Sequence, residues 1–331
     1  MLRHSLPTAG LVLVCIGACG KKTDPPEPTA SAEPSAREVS GAIASVSASA
    51  ARAPQPPPPR TPDPKLYQWL SDKGAPKATE TLLARFDTPP GYQRVEAETG
   101  SFARYLRTLP LAAPGTPVVS YKGEELRKGD DEYLAAVVAI DVGKIDLQQS
   151  PDVVIRLHAE WQWSKGARDM TYRGATGLDM PLFRWARGER VVAVGSGVFW
   201  LKKANPAELD HAEFRRFLDA VFTWANSTAL SQQATPVEAK DVAPGDFFIH
   251  LGSPGHTLVV LDIAQKPDGS RVALFGQALN PAQNVFVLRL AGATPWFSLR
   301  PGEDVITPYT EAFTWQGLRR LSAGAPQESA P

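Results

Sequence analysis

Between residues 101 and 225 the apolar positions of this chain recur mainly at helical spacing, and beyond residue 245 they switch to strand spacing. Ser101 to Leu109, SFARYLRTL, reads as a short capped helix. Pro151 to Trp163 carries an apolar stripe at Val153, Val154, Leu157 and Trp161, and predicts a second helix. Glu208 to Ala225 predicts a third, with Phe214, Phe217, Leu218, Val221 and Phe222 on one side. Val118 to Tyr121 and Leu134 to Val142 read as strands, the second apolar on both faces and therefore central. After Pro244-Gly245-Asp246 come four strand-like runs: Phe247 to Leu251, His256 to Ala264, Arg271 to Leu279 and Val285 to Leu290. Asp268-Gly269 supplies a tight turn between the middle two. Helices followed by antiparallel strands predict an α+β fold with helices packed on a sheet.

Composition divides the chain more sharply than periodicity does. From Lys21 to about Pro64, Pro, Ala and Ser dominate and Pro56 to Pro59 form an unbroken run. Such a segment cannot bury enough apolar surface to offset its ordering entropy, so it reads as a disordered or extended tether. Its reach lies between a coil of about 40 Å and a polyproline rod of at most ~140 Å. Residues 65–322 then form a single globular domain and 323–331 a disordered tail. The 35 basic and 35 acidic residues cancel, and no basic patch is interleaved with aromatics, which disfavours nucleic-acid binding.

The two cysteines of the chain are Cys15 and Cys19. Arg3 and the apolar run Leu11 to Ile16 have signal-peptide proportions, too short to span a bilayer. Ile16-Gly17-Ala18-Cys19 matches a bacterial lipobox, so 1–18 would be removed and Cys19 would carry acyl chains. Several chains together anchor stably where one is marginal. Gly20 follows where an inner-membrane retention aspartate would stand, which points to the outer membrane, facing the periplasm.

Gly245-Asp246 followed by Gly255-His256-Thr257-Leu258-Val259-Val260 is the most specific internal pattern. It resembles the Gly-Asp and His strands of papain-like cell-wall amidases of the NlpC and CHAP kind. In those, a histidine opening a strand serves as base to a cysteine at a helix N-terminus. More of the chain, most of residues 85 to 320, resembles a bacterial lipoprotein family known as domain of unknown function 4846. The stretches that carry this likeness include Leu106-Arg107-Thr108-Leu109-Pro110, Asp146-Leu147-Gln148-Gln149 with Asp152, Arg156 and Glu160, and Gly252-Ser253-Pro254-Gly255-His256. Gln277 and Pro281-Ala282-Gln283 complete them. The resemblance implies a cysteine after the Gln-Gln pair, where a helix N-terminus lowers a thiol pKa. This chain has Ser150 there, and a hydroxyl gains far less from the same field.

Ser150 before Pro151 and Asp152 also suits an N-cap, a role compatible with a nucleophilic one. On a regular strand His256, Leu258, Val260 and Asp262 share one side, but Asp262 lies about 20 Å from the histidine, too far to orient it. Folding the hairpin about Asp268-Gly269 sets Asn280 roughly opposite His256, with Gln277 about three residues off register. The resemblance favours Gln277 as the orienting residue, and a bulge would bring it closer. Arg156 and Glu160 form an i,i+4 pair by spacing. The resemblance makes both candidates to line a groove, Asp146 and Gln149 precede the same helix and could line it too, and the hairpin register adds Asn280. Ser253 lacks a Gly-x-Ser-x-Gly elbow, the histidines lack zinc-ligand spacing, and no phosphate-binding loop follows a strand, so no metal or cofactor is expected.

Three readings follow. The first is a lipid-anchored envelope protein whose papain-like, nucleophile-degenerate domain binds cell-wall peptide (peptidoglycan) or a protein partner. The second is an active amide or ester hydrolase using Ser150, His256 and Gln277. The third is a structural envelope component with no ligand groove.

Overall fold

The apolar runs flanking Asp268-Gly269 pair as the centre of a nine-stranded sheet. The structure, a computed structural model, describes residues 59–71, 74–252 and 254–322. Cys19, the tether up to residue 58, Ser253 and the 323–331 tail lie outside the described residues. In chain order the strands of the sheet are β1 (Gln93–Arg94), β2 (Leu134–Val137), β3 (Thr235–Pro236), β4 (Phe247–His250) and β5 (His256–Gln265). They continue with β6 (Arg271–Gln277), β7 (Phe286–Leu288), β8 (Trp296–Leu299) and β9 (Leu318–Arg320). Across the sheet the order is β3-β9-β4-β5-β6-β7-β2, with β8 joined to β6 and β1 to β5, all antiparallel.

The helices used below are α1 (Phe102–Arg107), α2 (Ser150–Ser164), α3 (Leu182–Ala186), α4 (His211–Trp224) and α5 (Ser227–Gln233). Helices α4 and α5 each start where a side chain satisfies a free N–H. The Oδ1 of Asp210 accepts from Glu213 N at 2.7 Å ahead of α4, and Asn226 Oδ1 accepts from Ala229 N at 2.8 Å ahead of α5. The fold is therefore α+β, with helices on a largely antiparallel sheet, as the hydrophobic pattern predicts.

The central strands are apolar on both faces because both faces are covered. Val259, Leu261 and Leu274 pack with Val153, Leu157, Phe214 and Phe217 on the helical side. Leu258, Val260, Phe275, Phe286 and Phe313 form a second cluster on the other side. Both clusters draw their buried residues from Tyr67 to Leu318 alone. Tyr67 and Trp69, ahead of the first regular strand, are fully buried against Tyr105, and Pro59 O already accepts from Thr81 Oγ1 at 2.6 Å.

Two expectations from the sequence are corrected, and one segment without a reading is filled in. The predicted strand over 134–142 ends at Val137, because the chain then leaves β7 and Ala139 N turns to Pro110 O at 2.9 Å. The segment 165–207, which has no clear period, contains α3 and two small antiparallel hairpins, 171–181 and 189–202. Finally, β5 is not regular: a bulge between Val260 and Asp262 turns Asp262 to the helical face, opposite Leu274. There it pairs with Arg94 at 2.6 Å and Arg107 at 2.7 Å, instead of sharing the face of His256.

Candidate functional site

The first turn of α2 packs end-on against the start of β5. Ser150 is the first residue of the helix, and the cap position belongs to Gln149, whose backbone N donates to Asp152 Oδ2 at 3.1 Å. The Ser150 hydroxyl does not cap because the sheet holds it: its Oγ accepts from Thr257 N at 2.9 Å. Thr257 Oγ1 in turn donates to Ser150 O at 2.6 Å. Ser150 is 0% exposed and Thr257 1%.

Side chains alternate along a strand, so Thr257 and His256 project to opposite faces. Thr257 shares the helical face with Val259, whereas His256 shares the other with Leu258 and with His250, its partner across β4. No hydrogen bond joins Ser150 to His256 among the described residues, and the buried Nδ1 of His256 has no partner. Burial, followed by the neighbouring His250, lowers the imidazole pKa, with Glu311 opposing.

The bulge also resets the β5–β6 register. Val259 stands opposite Gly276, which puts Gln277 on the same face as His256 and about one diagonal step away. This is closer than an unbroken hairpin allows, although neither Nε2 nor Oε1 of Gln277 has a hydrogen-bond partner. Asn280 lies outside β6 and faces a separate space, described next.

A cleft of about 570 Å³ opens at the N-terminal end of α2. Asp146, Gln149, Asp152, Thr223, Asn226, Ser227 and Asn280 supply its polar side chains, and Gly252, Pro254 and Gly255 also line it. Asp146 holds two walls together: its Oδ1 accepts from Ala282 N at 2.7 Å and from Gln149 Nε2 at 3.2 Å. Gly255 sits tightly on α5, since a Cβ there would stand 2.3 Å from Ser227 Oγ. No cation is among the described lining residues. Asp152 is 6% exposed, its Oδ1 has no hydrogen-bond partner, and burial pushes its pKa well above the usual carboxyl value against the N–H groups that accompany it.

Arg156 and Glu160 do not line this cleft; they form the core of a buried charge network. Arg156 is 0% exposed and donates to Asp141 at 2.6 Å, Glu160 at 2.9 Å and Gln148 at 2.8 Å. His211 reaches Glu160 at 2.9 Å and Arg215 reaches Asp141 at 3.2 Å, tying α4 to the same cluster. Burial alone would raise the Asp141 pKa, but Arg156 and Arg215 hold it well below the carboxylate range. The i,i+4 spacing reveals one bond of this network; Asp141, His211 and Arg215 carry no signal in sequence, because loop and helix packing alone brings them in. The Gly245-Asp246 element is likewise structural: Asp246 accepts from Ala243 N at 2.8 Å and from Arg320 Nη2 at 2.8 Å, fastening β4 to β9.

Thr257, Asn226 and Ser227 are the site residues that sequence reasoning missed. Asn226-Ser227 is a readable helix start; Thr257 could be found only from the pleat. The Ser150–Thr257 bond makes a direct prediction. Ser150→Ala leaves a buried N–H without an acceptor and is expected to lower stability by about 1–3 kcal/mol, read as the shift of the urea midpoint. A shift below about 0.5 kcal/mol would mean that water replaces the hydroxyl.

Chemically, the arrangement offers an acceptor-rich cleft beside a sealed serine and a histidine on the far face of the strand. Among the described residues no cluster of three or more His, Cys, Asp or Glu could hold a metal ion, and no helix is long and apolar enough to cross a membrane. Comparison with curated proteins and with solved structures finds no match. The sequence profile of one family matches residues 82–320, the region that contains the sheet, α2 and the whole cleft, and by this match the chain belongs to the family described as Domain of unknown function (4846).

Proposed function

We propose that this protein is a lipid-anchored component of the bacterial cell envelope, held at the outer membrane through Cys19. Its papain-like domain has lost its nucleophile and binds, without cleaving, a cell-wall peptide or a protein partner in the cleft at the head of α2. One observation carries the reading: the cleft is open and polar while Ser150 is sealed, its hydroxyl held by Thr257 N and not hydrogen-bonded to His256. A general base must come within hydrogen-bond reach of the proton it takes, and this pair does not. With two carboxyls, three carboxamides and no cation among its described lining residues, the cleft favours ligands that present N–H groups, such as peptide amines and amides.

The test is to incubate the chain from Pro56 onward, which keeps both core clusters, with soluble peptidoglycan fragments and to score retention and cleavage separately. The expected result is retention of intact fragments, weakened by Asp152→Asn, with no new amino groups released. Ser150→Cys is expected to bind and still not cleave, because a thiol at a fully buried position, with no hydrogen bond to His256, has neither substrate nor base. Cleavage by the native chain would replace this reading with the hydrolase one.

A further inference from the structure

The 189–202 hairpin is separate from the large sheet and lines no part of the cleft; one face carries the buried Trp200, and the other is anchored at its base where Arg190 stacks on Trp185 and pairs with Glu213. Trp200 turns inward: it is buried, donates Nε1 to Asp179 O at 3.0 Å and lies under Arg184. The register sets Phe199 opposite Val192 and Gly197 opposite Val194, so Val192, Val194, Phe199 and Leu201 share the outward face. Val194 is 54% exposed, Phe199 51% and Leu201 39%, and Phe183 on α3 adds another ring at 50%. These are four of the ten exposed large hydrophobics among the described residues, within nineteen positions of the chain. Such a concentration marks an interaction surface, where scattered apolar residues would not.

The charge of the same segment indicates the partner. Residues 182–204 contain five cations, Arg184, Arg187, Arg190, Lys202 and Lys203, against the single carboxylate Glu189, in a chain whose total charge is zero. Arg184 pairs with Glu189 and Arg190 with Glu213 of α4, which leaves Arg187, Lys202 and Lys203 outside those ion pairs. Glu189 sits among Arg184, Arg187 and Lys202, so the base of the hairpin stays positive. Val194 and Phe199 lie toward the turn at Gly195-Ser196, and the exposed lysines lie about 10 Å further along the strand, Lys202 on the Trp200 face with its Nζ on Arg187 O and Lys203 just beyond the strand end. That sequence of apolar tip and basic base matches a bilayer surface, with acyl boundary and then phosphates.

We infer that the outward face of this hairpin docks on an anionic phospholipid surface. A chain anchored through Cys19 keeps that surface within the reach of its tether, but the inference rests on the hairpin and is independent of the cleft. It is tested with the chain from Pro56 onward, which lacks Cys19 and any acyl chain, by co-sedimentation with two kinds of vesicle. One is phosphatidylglycerol mixed with phosphatidylethanolamine, the other phosphatidylcholine alone. Binding to the anionic vesicles is expected, weakening as salt shortens the screening length. Val194→Ser with Phe199→Ser should weaken it about tenfold by removing buried apolar area. Lys202→Glu with Lys203→Glu should weaken it at least roughly thirtyfold, at about fivefold per cation lost. All four positions are exposed, so the unfolding midpoints should match the native one. Failure to bind anionic vesicles overturns the inference, as does equal binding by both variants. Self-association that Phe199→Ser abolishes, without vesicle binding, also overturns it and assigns the face to a second copy of the chain.

Discussion

Arg156→Ala is expected to destabilise the domain by about 3–5 kcal/mol, because it leaves buried charge uncompensated. The guanidinium has no solvent contact, and its removal strips Asp141 and Glu160 of their closest shared cation while opening a cavity in the helical face of the core. Burial by itself would favour a neutral side chain at 156, but Asp141 and Glu160 more than offset it, so the charge persists. Urea unfolding monitored by tryptophan fluorescence measures the loss; a change below about 1 kcal/mol would mean that water reaches the carboxylates. The network also sets an acid limit. Asp141 has a lowered folded pKa, so its contribution is complete above the ordinary value of 3.8 and is lost as pH falls below it. Asp141→Asn is therefore expected to be less stable at neutral pH and to show a smaller further loss on acidification.

Trp69→Ala should cost a comparable 3–5 kcal/mol. Trp69 is fully buried, tilts against Tyr67 and Tyr105, and donates Nε1 to Ala139 O at 2.8 Å, so the variant loses both packing and the partner of a buried carbonyl. Beside it, Tyr67 donates its hydroxyl to Tyr105 O at 2.8 Å, and burial pushes its pKa far above the usual phenol value. Both residues precede the family match, which begins at residue 82. A chain cut at Leu82 is accordingly expected to unfold at lower temperature than one cut at Pro56, by calorimetry. Equal midpoints would show that the 59–81 segment only decorates the core.

The periodic parts of the chain were legible because their periods report burial directly. The stripe through Val153, Val154, Leu157 and Trp161 became α2, and the one from Phe214 to Phe222 became α4. The two-faced strands around Asp268-Gly269 became the middle of the sheet, since residues apolar on both sides need cover on both sides. Trp69 was not legible: a lone aromatic before the first strand has no period, and only Ala139 and Tyr105 show where it goes.

The candidate site divides along the same line. Sequence alone pointed to Asp146, Gln149 and Asn280, which line the cleft at the head of α2, and it identified a serine where the family resemblance implies a thiol; Asp152 joins the lining only in the structure. It could not determine which way Ser150 and His256 point. That was decided by the strand pleat, which sends Thr257 and His256 to opposite faces, and by one bulged residue after Val260. The bulge turned Asp262 toward Arg107 and drew Gln277 to the face of His256. Arg156 and Glu160 likewise moved from presumed groove to buried network, because their partners Asp141, His211 and Arg215 come from a loop and a second helix. Composition and period act locally and can be read residue by residue, whereas the face a side chain occupies depends on register, which only the assembled sheet fixes.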